Sequence, residues 1–167
     1  MTREAMRCVF HVAAGPRVGF GHLMRARTLA RALGVPMQVA LRGGATARRV
    51  AVAQGWTVVP PSTAADVVVI DDPSPTHVTT RAAGARRRGA VVVHIADGVT
   101  APGIADLVVD GRVQAPTAAA AARLSGSRYC VIDPRIPAVR QHVRRRAGRV
   151  LIALGGGAHV QYLAADL

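Results

Sequence analysis

One stretch carries residue types at a spacing that chemistry can use: Gly15-Pro16-Arg17-Val18-Gly19-Phe20-Gly21-His22-Leu23-Met24-Arg25. It lies between an apolar run that reads as a strand and a segment that reads as a helix. Gly19 and Gly21 are expected to allow positive φ and close approach of a ligand to the backbone. The unsatisfied N–H groups at the helix start favour an anion such as a diphosphate. His22 falls in that first turn, where the positive end of the helix disfavours imidazolium, so a neutral ring is expected. A neutral imidazole beside a water is what a general base requires. Arg25, one turn on, is placed to face a phosphate or to close the site. The stretch is not a dinucleotide fingerprint, because Met24 stands where the third glycine is needed. Nor is it a P-loop, because no Gly-Lys-Ser/Thr follows.

The elements that must position these residues alternate along the chain. Arg7 to Ala14 reads as a buried strand, and His22 to Leu33 as a helix with Ala26, Leu29, Ala30 and Leu33 as its apolar stripe, stopped by Gly34. Pro36 to Leu41 is a second strand, Ala45 to Gln54 a second helix ended by Gly55, and Thr57 to Pro60 a third strand. Ala65 to Asp71 is a Val/Ile run of the kind buried on both faces. Pro73 and Pro75 break the chain before a helix that runs to Arg88. Strands follow at Ala90 to Asp97 and Ala105 to Asp110, and a short Ala-rich helix at Thr117 to Leu124. Val-rich strands alternating with helices predict an α/β fold: a Rossmann-like, doubly wound parallel sheet. Ligands on such sheets bind at the carboxyl ends of the strands. That rule selects the Gly15–His22 loop, Asp71 with Asp72, and Asp97 with Gly98.

Other polar residues have plainer readings. Asp71 and Asp72 end a strand, where they bind a metal or sugar hydroxyls, or cap the helix before Pro75. His11 and His94 read as core or strand-end histidines, His77 and His142 as surface residues. Asp66 and Asp106 read as turn formers, and Trp56 as core or edge. Cys8 and Cys130 have no metal or redox spacing and read as small apolar fillers of strands in a reducing cytoplasm. No His/Cys cluster has zinc spacing, so neither a structural metal nor a cofactor is expected.

Composition bounds the rest. The 167 residues are 50% hydrophobic but only 3% aromatic, so the core is built from Ala, Val, Leu and Ile. No apolar run approaches the roughly 20 residues of a membrane helix, and the N-terminus lacks a signal-peptide pattern. The net charge is +13, and every one of the 22 basic residues is arginine. The arginines are spread along the chain and lack interleaved aromatics, which reads as solvated faces with a generic attraction to anionic substrate or an anionic membrane surface. Specific nucleic-acid binding is not expected.

Organisation changes after Pro134. Residues 1–134 read as one domain and 135–148 as a basic linker. Residues 149–167 read as the first strand and helix start of a second doubly wound domain, expected to continue further along the polypeptide.

The segment GFGHLMRARTLARAL, with its Gly-x-Gly-His-x-x-Arg pattern, resembles the first loop and helix of the UDP-sugar hydrolases of pseudaminic acid biosynthesis (PseG type). It also resembles the related spore-coat polysaccharide proteins (SpsG type); both are relatives of the MurG-like GT-B glycosyltransferases. VVVID ending at Asp71, HIAD ending at Asp97, ADLVVD ending at Asp110, GSRYCVIDPRI (Gly126 to Ile136) and VLIALGGG (Val150 to Gly157) resemble later family segments in the same order. The resemblance implies the N-terminal domain of a GT-B fold that cleaves a UDP-linked amino-deoxy sugar with water. On that basis His22 is the base. Gly19, Gly21, Arg25, Asp71, Asp97 and Tyr129 shape the substrate pocket, and Gly155, Gly156 and Gly157 face the diphosphate from the second domain. The chain departs from the pattern at Asp72-Pro73 and at Ala158-His159, and Ala96-Asp97 replaces a pair of aspartates. A GT-B transferase of cell-envelope or spore-coat polysaccharide is one alternative. A non-catalytic, arginine-driven polyanion-binding domain is another.

Overall fold

A computed structural model describes residues 6–96, 103–112 and 122–138. In chain order its elements are β1 (Cys8–Ala13), α1 (Gly21–Leu33), β2 (Gln38–Arg42), α2 (Ala45–Ala53), β3 (Thr57–Val58), β4 (Val67–Asp71), α3 (Pro75–Arg87), β5 (Val91–Ile95), β6 (Leu107–Asp110), β7 (Ala122–Ser125), a 3-10 turn (Ser127–Tyr129) and a short α4 (Arg135–Ala138). The strands form one seven-stranded sheet in the order β3-β2-β1-β4-β5-β6-β7. Every pairing is parallel. The order reverses between β1 and β4, where connections leaving the two strands diverge and open a crevice at their carboxyl ends. β1 and β4 lie in register there, with Val12 opposite Asp71.

Period-two alternation assigns the strand residues to two cores. Cys8, Phe10 and Val12 of β1 and Val69 of β4 pack under α1 and α2 with Leu23, Ala26, Ala30, Ala47 and Ala51. Val68 and Ile70 turn to the opposite face and pack under α3 with Val78, Ala82 and Ala85. Alanines on all three helices let the helix backbones approach the sheet, which suits a chain with few aromatics. Among the described residues, Phe10 packs against Trp56, edge to face with centroids 5.4 Å apart.

Helix boundaries follow local chemistry. Gly34 ends α1 in the left-handed conformation (φ 64°), and its N–H returns to the carbonyls of Ala30 and Arg31. Pro75 opens α3, where its missing N–H costs nothing. The buried stripe of α1 is Leu23, Ala26 and Ala30, whereas Leu33, expected in that stripe, is exposed.

Of the Ala-rich helix expected over Thr117 to Leu124, residues 117–121 lie outside the described residues, and the rest is corrected: from Ala122 the chain is the edge strand β7, paired with β6 from Leu107↔Ala122 to Asp110↔Ser125. The cause is tertiary. β6 presents unpaired ladder groups, and Arg123, inside β7, donates to Asp110 at 2.7 Å. Asp110 is fully buried at the end of β6 and also receives Nε of Arg112 at 2.9 Å and Nη2 at 2.7 Å. Arg112 first, with Arg123 adding to it, holds the Asp110 carboxyl down at about 2. At the amino ends of the central strands, Asp66 joins the starts of β1 and β4 by accepting from Arg7. Asp106 accepts the Val92 N–H and pairs with Arg86. Cys8 is buried in β1, but Cys130 is exposed and lies outside any strand, so the strand-filler reading fails for it.

His11, in the middle of β1, is buried, and neither ring nitrogen has a hydrogen-bond partner among the described residues. Burial, with Arg81 and Arg88 adding repulsion, lowers its pKa from 6.5 to about 4. The unfolded chain therefore binds the proton first as pH falls. Stability from this residue is complete above pH 6.5 and is lost progressively down to about pH 4. The loss is on the order of 3 kcal/mol. His11→Leu, similar in volume, should flatten the fall in stability between pH 7 and pH 4, read by urea denaturation across that range.

Candidate functional site

The loop after β1 closes on itself before α1 begins. Gly15 donates to the Gly19 carbonyl at 3.0 Å, and Gly19 donates back to Gly15 at 2.7 Å. Both glycines have positive φ, 146° and 82°. That return aims the chain into α1 over the carboxyl end of the sheet. Gly21 does not share this conformation: it is the first residue of α1, and an added Cβ would meet nothing within 4 Å. The expectation of positive φ at Gly21 is therefore corrected; Gly15 takes that part, and Gly21 offers open space. The N-cap, Phe20, provides no side-chain cap. The first intrahelical bond of this turn runs from the Met24 N–H to the Phe20 carbonyl. The N–H groups of Gly21, His22 and Leu23 thus have no acceptor within the helix.

His22 and Arg25, three apart, share one face of α1. Both reach Asp71, brought beside β1 by the pairing of β4. His22 Nδ1 lies 2.8 Å from Asp71 Oδ1. Arg25 Nε donates to Asp71 Oδ2 at 2.8 Å, and its Nη2 donates to Oδ1. The Asp71 side chain is 1% exposed, against 15% for His22 and 23% for Arg25. A carboxylate only accepts, so its neighbour Nδ1 carries the proton in the neutral ring. The lone pair is then on Nε2. The 3.2 Å approach of Arg25 Nη2 to His22 Nδ1 is the meeting of two donors on one oxygen. The aspartate thereby orients the ring and selects its tautomer, as the third group of a catalytic triad does.

Asp71, read from the sequence as a ligand or a helix cap, is buried beneath His22 and Arg25 and is bonded to both. The Arg25 guanidinium, read as facing a phosphate or closing the site, is engaged with Asp71 and lines the cavity beside His22. Asp72 turns elsewhere, taking Nε of Arg42 at 2.6 Å, Nη2 at 2.7 Å and the Ser74 N–H at 2.8 Å. Burial opposes its ionisation, yet Arg42, the Ser74 N–H and His77 together hold the carboxyl below its usual range. It caps the approach to α3 and ties it to β2.

A cavity of about 430 Å³ opens beside His22 and Arg25, lined also by Val18 and Gly21 and closed opposite by Ile132, Asp133 and Ile136. Tyr129 borders a smaller cavity of about 130 Å³ at the ends of β5 and β6, which Arg25 also lines. Tyr129 is stacked by the Arg128 guanidinium, 4.9 Å from its ring centre. Arg25 and Val131 line both spaces; His22 borders the larger and Tyr129 the smaller. Ile132, Asp133 and Ile136 lie in the Gly126–Ile136 stretch that carries part of the resemblance, but nothing local to it places the segment against α1; only tertiary packing does. Among the described residues, no three His, Cys, Asp or Glu side chains converge as metal ligands would. Asp97, Gly155, Gly156 and Gly157 lie outside the described residues, as do most of the linker and all of the expected second domain.

Two substitutions separate backbone need from open space. Gly19→Ala should cost roughly 1 kcal/mol through its positive φ, whereas Gly21→Ala should leave the melting temperature unchanged within a degree or so. Asp71→Ala, which strands a guanidinium and an imidazole on a buried site, should destabilise by about 3 kcal/mol in urea denaturation.

No protein-family model, curated protein or solved structure matches the chain.

Proposed function

We propose that the chain forms the N-terminal domain of a GT-B-type enzyme that hydrolyses a UDP-linked amino sugar. The observation that carries this reading is the Asp71–His22 pair at 2.8 Å, beside an open cavity at the switch point of a parallel sheet. The reaction needs little from the protein. The leaving group is already a diphosphate, so a placed nucleophile and a neutralised departing charge suffice.

In this mechanism a water oxygen attacks the anomeric carbon. Its proton passes to Nε2 of His22 while Asp71 steadies the imidazolium that forms. The bond from the anomeric carbon to the phosphate oxygen breaks, and UDP leaves with the electron pair. Attack opposite the leaving group inverts the anomeric centre. The N–H groups at the start of α1 are suited to a developing negative charge. The Gly155–Gly157 turn belongs to this proposal only through its resemblance to the second-domain diphosphate loop. Asp97, by the same resemblance, would shape the sugar pocket.

The same pair would equally activate an acceptor hydroxyl, so a glycosyltransferase is the second reading. The two differ in whether UDP release requires an acceptor. The polyanion-binding reading loses ground because seven arginines are committed to aspartates: Arg7, Arg25, Arg42, Arg86, Arg112, Arg123 and Arg135. No helix among the described residues is long and apolar enough to cross a membrane. A cytoplasmic enzyme is the corresponding proposal for location.

The test is UDP release from UDP-amino-sugar donors by the complete polypeptide. His22→Ala should lower turnover by at least about 10²-fold, and Asp71→Asn should lower kcat with a smaller effect on KM. Unchanged turnover in His22→Ala would remove the base assignment. Turnover that appears only when an acceptor is added would favour transfer over hydrolysis.

A further inference from the structure

A second cavity, of about 350 Å³, continues along α1 from the one at His22. It is lined by Arg27, Thr28, Arg31, Ala32, Asp133, Pro134 and Arg135, and it shares Arg27, Thr28 and Asp133 with the first. The two form one groove between α1 and the segment that leads into α4. Its first half holds the imidazole. Its second half holds three guanidinium groups against one carboxylate.

That carboxylate is already taken. Asp133 accepts from Arg135 at Nε (2.9 Å), Nη2 (2.7 Å) and the backbone N–H (2.9 Å). Arg27 and Arg31, four apart and on one face of α1, form no ion pair with a carboxylate among the described residues, although Arg27 stands near enough to Asp133 to add to the pull of Arg135 on its carboxyl. Arg27 gives its Nε to the Gln54 carbonyl at 3.2 Å, which fixes the root of the guanidinium. The helix dipole does not supply the attraction here, since its negative end lies on this side. The arginines do.

We infer that this half of the groove is a binding site for a soluble ligand's phosphate or diphosphate group, held by Arg27 and Arg31 with the Thr28 hydroxyl. Planar guanidinium forks match phosphate oxygens in pairs, and a hydroxyl supplies a further donor. Nine residues of helix separate Arg31 from His22, about 14 Å of rise. A ligand spanning the groove therefore carries its anionic group that far from the atom that meets the imidazole. The site is concave, which suits a soluble phosphate rather than the face of a lipid bilayer. The inference does not depend on His22 being a base.

The probe is pyrophosphate, titrated into the whole chain by calorimetry at about 0.15 M salt, where loose surface attraction is screened. Wild-type protein should bind it saturably. Arg27→Gln with Arg31→Gln should weaken binding by at least about tenfold. Arg48→Gln with Arg49→Gln, an equal loss of charge at exposed positions of α2, should change it by less than twofold. Asp133→Asn should tighten it. Absence of saturable binding, or equal weakening by both double variants, overturns the site. So does loss of binding to phosphatidylglycerol vesicles in the Arg27/Arg31 variant when pyrophosphate itself never binds.

Discussion

A carboxylate in a place that water scarcely reaches governs this molecule. Asp71 ends the strand beside β1 and is almost wholly enclosed. An isolated buried charge would be costly enough to prevent folding around it. Two donors from α1 remove that cost, one an arginine and one an imidazole. The consequence is mutual. The helix start is pinned to the sheet switch point, and the imidazole is held in one orientation with its lone pair on the far nitrogen. The contact that offsets the buried charge and the contact that sets the imidazole's tautomer are the same contact.

The rest of the fold serves that arrangement. The Gly15–Gly19 return brings the chain back over the sheet. The alanines of α1 let its axis lie close to β1, which sets how far His22 and Arg25 must reach. A bulkier stripe at Ala26 or Ala30 would lift the helix and stretch the bonds to Asp71. The poverty of aromatics thus fits a site that depends on close helix–sheet approach.

Charge has a similar economy. The chain holds 22 arginines and nine acidic residues. Asp66, Asp71, Asp72, Asp106, Asp110 and Asp133 each meet at least one arginine. Several of these pairs tie element ends together: Asp66 joins β1 to β4, Asp106 joins β6 to β5 and α3, and Asp110 joins β6 to β7. The exposed pairs contribute little individually, whereas the pairs at Asp71 and Asp110 fix local geometry. The excess of arginine therefore does not spread as one uniform field. In the groove beside α1, three arginines meet the one carboxylate of Asp133, which is paired with Arg135.

Much of this was legible in the residues. Val-rich runs alternating with Ala/Arg segments determined a parallel α/β sheet, and glycines at 34 and 55 marked where helices end. The position of His22 in the first turn after β1 was readable from the Gly-x-Gly-His spacing, because loop and helix chemistry are local. Three things were not readable. β7 depends on the open edge of β6 and on the Arg123–Asp110 bond, which hold Ala122 to Leu124 as a strand where local pattern predicts a helix. The burial of Asp71 and the capture of Arg25 depend on β4 lying next to β1, a strand order that a linear pattern does not contain. The groove depends on Asp133 and Ile136 returning to α1 from more than a hundred residues away. Local periodicity determines the elements; which side chains meet is decided by the sheet order and by where each buried charge can find its partner.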